Sequence, residues 1–182
     1  LARLKEGARI ALVSDAGTPL VSDPGYKLVR DAAAEGIAVV AIPGASAALA
    51  ALIVSGLPTD RFFFQGFLPA KAGARKATLA EIGAIPATLI VFEAARRLDE
   101  TLAEIAAVLG DRDAAVGREL TKLHEEVRRG RLSEIAAHYA ANPGKGEAVI
   151  VIAPPVPAAV DAEAQGEALD RRLDALLETM GV

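Results

Sequence analysis

Polar and apolar positions along the 182 residues follow two alternating patterns. Short β-branched or aromatic runs predict strands over 8–13, which contains Ile10-Ala11-Leu12-Val13, and 37–42, which contains Val39-Val40-Ala41-Ile42. The same pattern predicts strands over 61–65, 88–93, 114–119, 125–129 and 147–153. Between these runs the apolar positions recur at helical spacing. Leu28, Val29, Ala32 and Ala33 share one face of a helix over 26–35, which Gly36 closes. Further helices are predicted over 45–55, 77–82 and 98–109, the last ended by Gly110. Another runs from an N-cap at Ser133 to 141 and stops at Asn142-Pro143-Gly144. The first seven residues read as a helix end closed by Gly7, and 67–76 reads as a loop. The order is βαβα followed by a mixed unit, an α/β class, and there are no internal repeats.

Turn composition at Gly56-Leu57-Pro58-Thr59-Asp60 divides the chain into an α/β unit over 1–59 and a second over 60–153. Residues 154–182 form a Pro-rich linker, Pro154-Pro155-Val156-Pro157, and a polar helix over 161–180. Leu169, Leu173, Leu176 and Leu177 lie on one face of that helix.

Two loops stand out. Residues 14–25 follow the first strand and carry Gly17 and Gly25, which tolerate positive φ. Asp23 suits an N-cap and Pro24 the first helical position. Pro43-Gly44-Ala45-Ser46-Ala47 follows the second strand. Either both are ordinary strand-to-helix turns, or they wall one crevice at the carboxyl ends of neighbouring strands, where α/β sheets bind small ligands.

Composition narrows the function classes. Hydrophobic residues make up 52%, enough for a substantial core, and aromatics only 4%. Cys is absent, which excludes disulfides and thiolate metal sites, and two His argue against a His-based metal cluster. Neither an apolar run of membrane-spanning length nor a signal-peptide pattern is visible, so the expectation is a cytoplasmic protein without membrane or metal. A net charge of −4 argues against nucleic-acid binding by the whole surface and leaves local clusters to be weighed.

The string Leu12-Val13-Ser14-Asp15-Ala16-Gly17-Thr18-Pro19, with Asp23-Pro24-Gly25-Tyr26, resembles the signature of the small-subunit ribosomal RNA (cytidine-2'-O-)methyltransferase family. That family belongs to the tetrapyrrole methylase superfamily. Pro43-Gly44-Ala45-Ser46-Ala47, Gly66-Phe67-Leu68-Pro69 and Arg118-Glu119-Leu120-Thr121-Lys122 match in the same order, covering nearly all of 1–153. The resemblance implies a tetrapyrrole-methylase-like fold of two α/β domains with the cofactor cleft between them. It implies S-adenosyl-L-methionine as cofactor and 2'-O-ribose methylation of a cytidine in 16S rRNA. The implied partners are small-subunit RNA or the 30S particle, with the enzyme a homodimer. Family members open with a strand and a Pro-Ile-Gly-Asn loop that does not precede Leu1. The N-terminal domain is therefore expected to be incomplete, and the family's C-terminal extension is expected to be cut off as well. Two alternatives stay open. One is a superfamily member acting on a precorrin or uroporphyrinogen, against which the Ser14–Pro19 loop speaks. The other is a non-catalytic dimerising fragment.

By the same resemblance, the cofactor residues are Ser14, Asp15, Ala16, Gly17, Thr18, Gly44, Ser46, Ala47, Glu93, Leu120 and Thr121. Asp15 matches the acid of the superfamily's Gly-Asp-Pro loop, although a turn-capping Asp has the same signature. The Ser46 hydroxyl also suits the first turn of its own helix. The family continues Tyr-Glu-Ser/Ala-Pro-His-Arg where this chain reads Phe92-Glu93-Ala94-Ala95-Arg96-Arg97, so no role of that His carries over. The catalytic residue is unassigned. Glu93, Glu119 and His124 are the candidates, His124 because its ordinary pKa lies near neutrality. Lys71, Arg75 and Lys76, with Arg96 and Arg97, are the candidate RNA contacts, since they flank strand ends facing the expected crevice. Arg128, Arg129 and Arg131 form a third basic group, and each group also reads as ordinary solvated charge.

Overall fold

Five strands form one sheet in the order β1-β2-β5-β3-β4 in the computed structural model, which describes residues 1–156. Pro157 and the polar helix expected over 161–180 lie outside the described residues. The strands are β1 (Phe62–Phe67), β2 (Thr88–Ala94), β3 (Asp113–Arg118), β4 (Glu126–Arg131) and β5 (Glu147–Ile152). β1 and β2 pair in parallel, while β5 runs antiparallel to both β2 and β3, and β4 antiparallel to β3. The carboxyl ends of β1, β2 and β3 therefore point the same way. The helices are α1 (Ala2–Lys5), α2 (Tyr26–Ala34), α3 (Ala47–Ser55), α4 (Ala72–Gly83), α5 (Leu98–Leu109) and α6 (Leu132–Ala141).

Alternation along the central strands sorts side chains to two faces. Leu89, Val91, Ile150 and Ile152 face α4, α5 and α6, where Leu79, Leu102, Ile105, Leu132 and Ile135 complete a buried core. Ile90, Val149 and Val151 face the other way and are covered by Ala48, Ala51 and Leu52 of α3. α3 caps itself with Ser46, whose side chain accepts from the Leu49 amide at 3.4 Å, and stops at Gly56 in the left-handed region. It ties the N-terminal residues to the sheet.

Residues 8–13 and 37–42 depart from the expectation of strands. Neither run joins a sheet among the described residues. The apolar pattern is present, but a strand also requires a neighbour to accept its hydrogen bonds. Val13, Val40 and Ile42 are consequently about four-fifths exposed, at 81%, 78% and 82%.

Smaller differences have local causes. β1 extends to Phe67 because Gly66, at φ 74°, absorbs a register shift against β2. α4 begins at Ala72, five residues before the helix expected from 77, and carries Gly73 in its first turn. The N-cap of α2 is Gly25 at φ 128°, so Asp23 does not cap it. A Cβ on Gly25 would lie 2.7 Å from Leu12 Cδ2, which reserves the position for glycine. Ser133 sits inside α6, whose first N-cap residue is Arg131. The cap is supplied from another loop: Asp111 accepts from the Ser133 amide at 2.9 Å and from its hydroxyl at 2.8 Å.

Candidate functional site

A cleft of about 630 Å3 opens where the carboxyl ends of β1, β2 and β3 meet the loops before α2 and α3. That volume lies within the range of about 300–1,000 Å3 usual for small-molecule sites. Both small-residue loops line it. They touch directly: the Thr18 hydroxyl donates to the Ala45 carbonyl at 2.9 Å. A Cβ on Gly17 would meet that same carbonyl at 3.9 Å. The first loop also descends onto the sheet. A Cβ on Gly66 would stand 2.6 Å from Ser22 Oγ, so a side chain at 66 would push the Ser22 hydroxyl aside.

The floor is apolar and aromatic. Phe92 packs edge-on against Phe67, with ring centroids 5.5 Å apart. Gly117 leaves room for Leu120, whose Cδ1 would be 3.0 Å from a Cβ there. The rim is acidic, with Asp15, Asp23, Glu93, Glu119 and Glu147 against the single cation Lys122. Backbone strain gathers here too. Leu20 and Ser22 in one loop, and Glu119 and Thr121 in another, are the non-glycine residues with positive φ among the described residues. Such conformations persist where surrounding structure enforces them, and they cluster at functional sites.

The carboxylates differ in what they can offer a ligand. Glu93 is buried and accepts from the Ala94 amide at 2.8 Å, Arg97 at 3.0 Å and Thr101 Oγ1 at 2.7 Å. It is the internal anchor of the turn into α5. Glu119 accepts from the Glu147 amide at 3.1 Å and Lys122 Nζ at 3.0 Å. Those bonds, the amide first and the ammonium second, hold its carboxyl below the usual range. Glu119 raises the Lys122 ammonium above its ordinary value in return. Asp15 and Asp23 accept no side-chain or capping bond among the described residues and face the cleft with their oxygens free.

Of the expected cofactor residues, 14–18, Ser46, Ala47, Glu93 and Leu120 line the cleft. Gly44 and Thr121 do not. The Thr121 amide is turned toward Glu125, to which it donates at 2.6 Å. Sequence reasoning missed Phe67, Gly117 and Glu147, which enter from strand ends where only the sheet order brings them together. His124 is not in the cleft. It lines a second hollow with Arg118, because the loop after β3 carries it away from the Glu119–Leu120 wall.

The basic residues divide as well. Arg75 departs from the expected role as a surface RNA contact. Its side chain is 4% exposed and is paired with Glu104 and, at 2.8 Å, with Glu100. Those partners raise its already high pKa, the Glu104 hydrogen bond foremost. Lys71, Lys76 and Arg96 are exposed and make no ion pair among the described residues. Arg97 is bound to Glu93. In the third group, Arg129 bonds the Val54 carbonyl at the end of α3, and Arg131 sits within 3.5 Å of Asp111 and Asp113.

Comparison with known proteins supplies the remaining observations. Residues 1–136 match the family model described as Tetrapyrrole (Corrin/Porphyrin) Methylases. A protein from Mesorhizobium japonicum named ribosomal RNA small subunit methyltransferase I is 53% identical over 156 residues, covering 85% of this chain and 53% of its own length. Proteins of the same name from Xylella fastidiosa and Escherichia coli O157:H7 are each 49% identical. The first covers 98% of this chain and 65% of itself, the second 84% and 54%. The chain thus spans about half the length of the first relatives it matches. Among solved structures, the methyltransferase CobJ superposes with a TM-score of 0.58 at 18% identity, over 84% of this chain and 67% of that one. Uroporphyrin-III C-methyl transferase from Thermus thermophilus, solved with S-adenyl homocysteine, gives 0.50 at 22% identity, over 75% and 62%. At such identities these two establish the fold.

Proposed function

We propose, from the premise that this chain belongs to the tetrapyrrole (corrin/porphyrin) methylase family, that its cleft is the S-adenosylmethionine site of a ribosomal RNA ribose methyltransferase. The observation carrying this reading is the meeting of both small-residue loops over the ends of three co-directional strands. The donor set fits the ligand. S-adenosylmethionine carries a sulfonium and an ammonium against one carboxylate, and this rim holds five carboxylates against one lysine. The adenosyl part requires an apolar floor, which Phe92, Gly117 and Leu120 provide.

When bound, S-adenosylmethionine supplies a methyl group made electrophilic by the positive sulfur. The protein's part is to orient and to exclude water. Asp15 and Asp23 offer free acceptors to the ammonium end. Ser46 and Ala47 allow close approach through their small size. Leu120 and Phe92 keep the floor dry. Glu93 acts as a fixed strut with both carboxylate oxygens bonded. Glu119 is held through Oε1 alone, by the Glu147 amide and Lys122, and the negative field of both favours a cationic donor.

The RNA reading is supported by the names of relatives near 50% identity and by the free cations Lys71, Lys76 and Arg96. The 2'-hydroxyl of a cytidine in small-subunit RNA is the acceptor in this reading, and the enzyme works as a cytoplasmic homodimer. No helix among the described residues is long and apolar enough to cross a membrane.

Calorimetric titration with S-adenosylhomocysteine tests the site, and transfer of labelled methyl to 30S particles tests the substrate. Ala47 is exposed and lines the cleft. Ala47→Leu is expected to weaken S-adenosylhomocysteine at least about tenfold by filling the wall, with the thermal midpoint unchanged. Equal affinity in wild type and variant would remove the cleft from the argument.

A further inference from the structure

Phe67 stands where strand alternation alone would not put it. In an unbroken strand alternate side chains share a face, so Phe67 would point with Phe63 into the core that α4 and α5 cover. The register shift between Phe64 and Gly66 turns it over, and it lands with Phe64 beside Phe92. Bulges next to binding sites re-aim side chains in this way. The result is an aromatic ring withdrawn from the core and left 58% exposed in the wall of the cleft.

The ring is braced as well as exposed. Phe92 meets it edge-on, with centroids 5.5 Å apart, and Phe64 supports Phe92 at 5.0 Å. The next residue, Leu68, is buried in the core and fixes the backbone beneath the ring.

The surroundings of Phe67 select the class of partner. Sheet order places it at one end of the cleft floor, on the edge strand β1, with Gly117 and Leu120 at the other end, beyond β2 and β5. Glu119 and Glu147 sit on that far side with Lys122 between them. Cations gather at the Phe67 end. Lys71 lies four residues past the end of β1 and Arg96 two past the end of β2, and both are exposed. Glu93 and Glu100 are tied to Arg97 and Arg75, which leaves Asp99 at the start of α5 to offset them. An apolar ligand would leave Lys71 and Arg96 unused, and a bare anion would leave the ring uncovered. An unstacked nucleobase answers both, since the base stacks on the ring while its phosphates meet the cations.

We propose that Phe67 is the stacking platform for one unstacked base of the RNA substrate, with Lys71 and Arg96 on the adjoining phosphates. The assignment rests on the RNA methyltransferase reading of the cleft, and it adds the residue that seats the acceptor strand beside the cofactor.

The chain contains no Trp, so Phe67→Trp in the full chain provides a single fluorescent reporter at the platform. Titration with single-stranded oligocytidylate is expected to quench its emission saturably. An abasic deoxyribose-phosphate oligomer of the same length should bind through charge and leave the emission unchanged. Anisotropy of labelled oligocytidylate should show binding weakened at least about fivefold in Phe67→Leu, the lower end for loss of a base–aromatic stack, and recovered to within about twofold of wild type in Phe67→Tyr. Lys71→Ala should weaken both oligomers alike. Absence of quenching up to millimolar oligomer, equal quenching by the abasic oligomer, or wild-type affinity in Phe67→Leu would overturn the proposal. So would emission that changes on dilution without RNA, which would assign the ring to a second copy. Equal quenching by S-adenosylhomocysteine would overturn it too, by giving the ring to the cofactor's adenine. Calorimetry of the wild-type chain with S-adenosylhomocysteine reads the cofactor site separately. If that ligand fails to bind while oligocytidylate still quenches, the methyltransferase reading falls and the platform stands; the reverse pattern removes the platform and keeps the cofactor site.

Discussion

Removing the Arg75 guanidinium would strand Glu104, whose side chain is 10% exposed and whose Oε1 already lacks a partner. Arg75→Ala is therefore expected to cost about 3 kcal/mol in urea denaturation, the lower end for breaking a buried pair. Lys76→Ala, one residue on and exposed, should stay within about 0.5 kcal/mol. Sequence could not separate these neighbours. Both are cations on one stretch, and only the partners on α5 distinguish a buried tie from a surface charge. Glu119 makes a second residue-scale expectation. Its carboxyl titrates below the usual range because of the Glu147 amide and Lys122. It therefore adds stability that is complete above the unfolded-state pKa and lost as pH falls through the lower folded-state value. Glu119→Gln should lower the thermal midpoint at neutral pH, and the difference from wild type should shrink as pH falls through the lowered folded-state value, flattening the acid limb.

Among the elements, those whose partners lie inside the chain were readable. The runs at 88–93 and 147–153 are apolar on both sides and become β2 and β5, the buried centre of the sheet, with bounds within a residue of expectation. α5 spans 98–109 as expected, because Gly110 at φ 82° stops it. α6 was readable in the middle and misread at its start, since its cap comes from a residue 22 positions upstream. Asp111→Ala should lower stability in chemical denaturation, because the Ser133 amide and hydroxyl lose their acceptor. Its carboxyl is held below the ordinary range by the Ser133 amide and hydroxyl. The loss should accordingly be full at neutral pH and shrink as pH drops through the lowered folded-state value.

At the scale of the molecule, the cleft was half legible. The small-residue loops announced themselves through glycine, proline and their positions after apolar runs. The opposite wall did not, because Phe67, Gly117 and Glu147 belong to three strands whose adjacency is a property of sheet order. His124 illustrates the converse: five residues from Glu119 in sequence, it opens onto a different hollow.

The two extended runs that found no neighbour divide the protein into regions of unequal permanence. Amide protons of β2 and β5 are shut in by strands on either side and by helices on both faces. Those of 9–13 and 38–42 bond to nothing among the described residues. Deuterium labelling should accordingly fill 9–13 and 38–42 almost at once, while the central strands exchange only through global opening. Since the first of these runs leads directly into the Ser14–Thr18 wall, a molecule that grips those residues would slow labelling upstream of its own contacts. Mass spectrometry of that single peptide would then register occupancy of the cleft without any catalytic turnover.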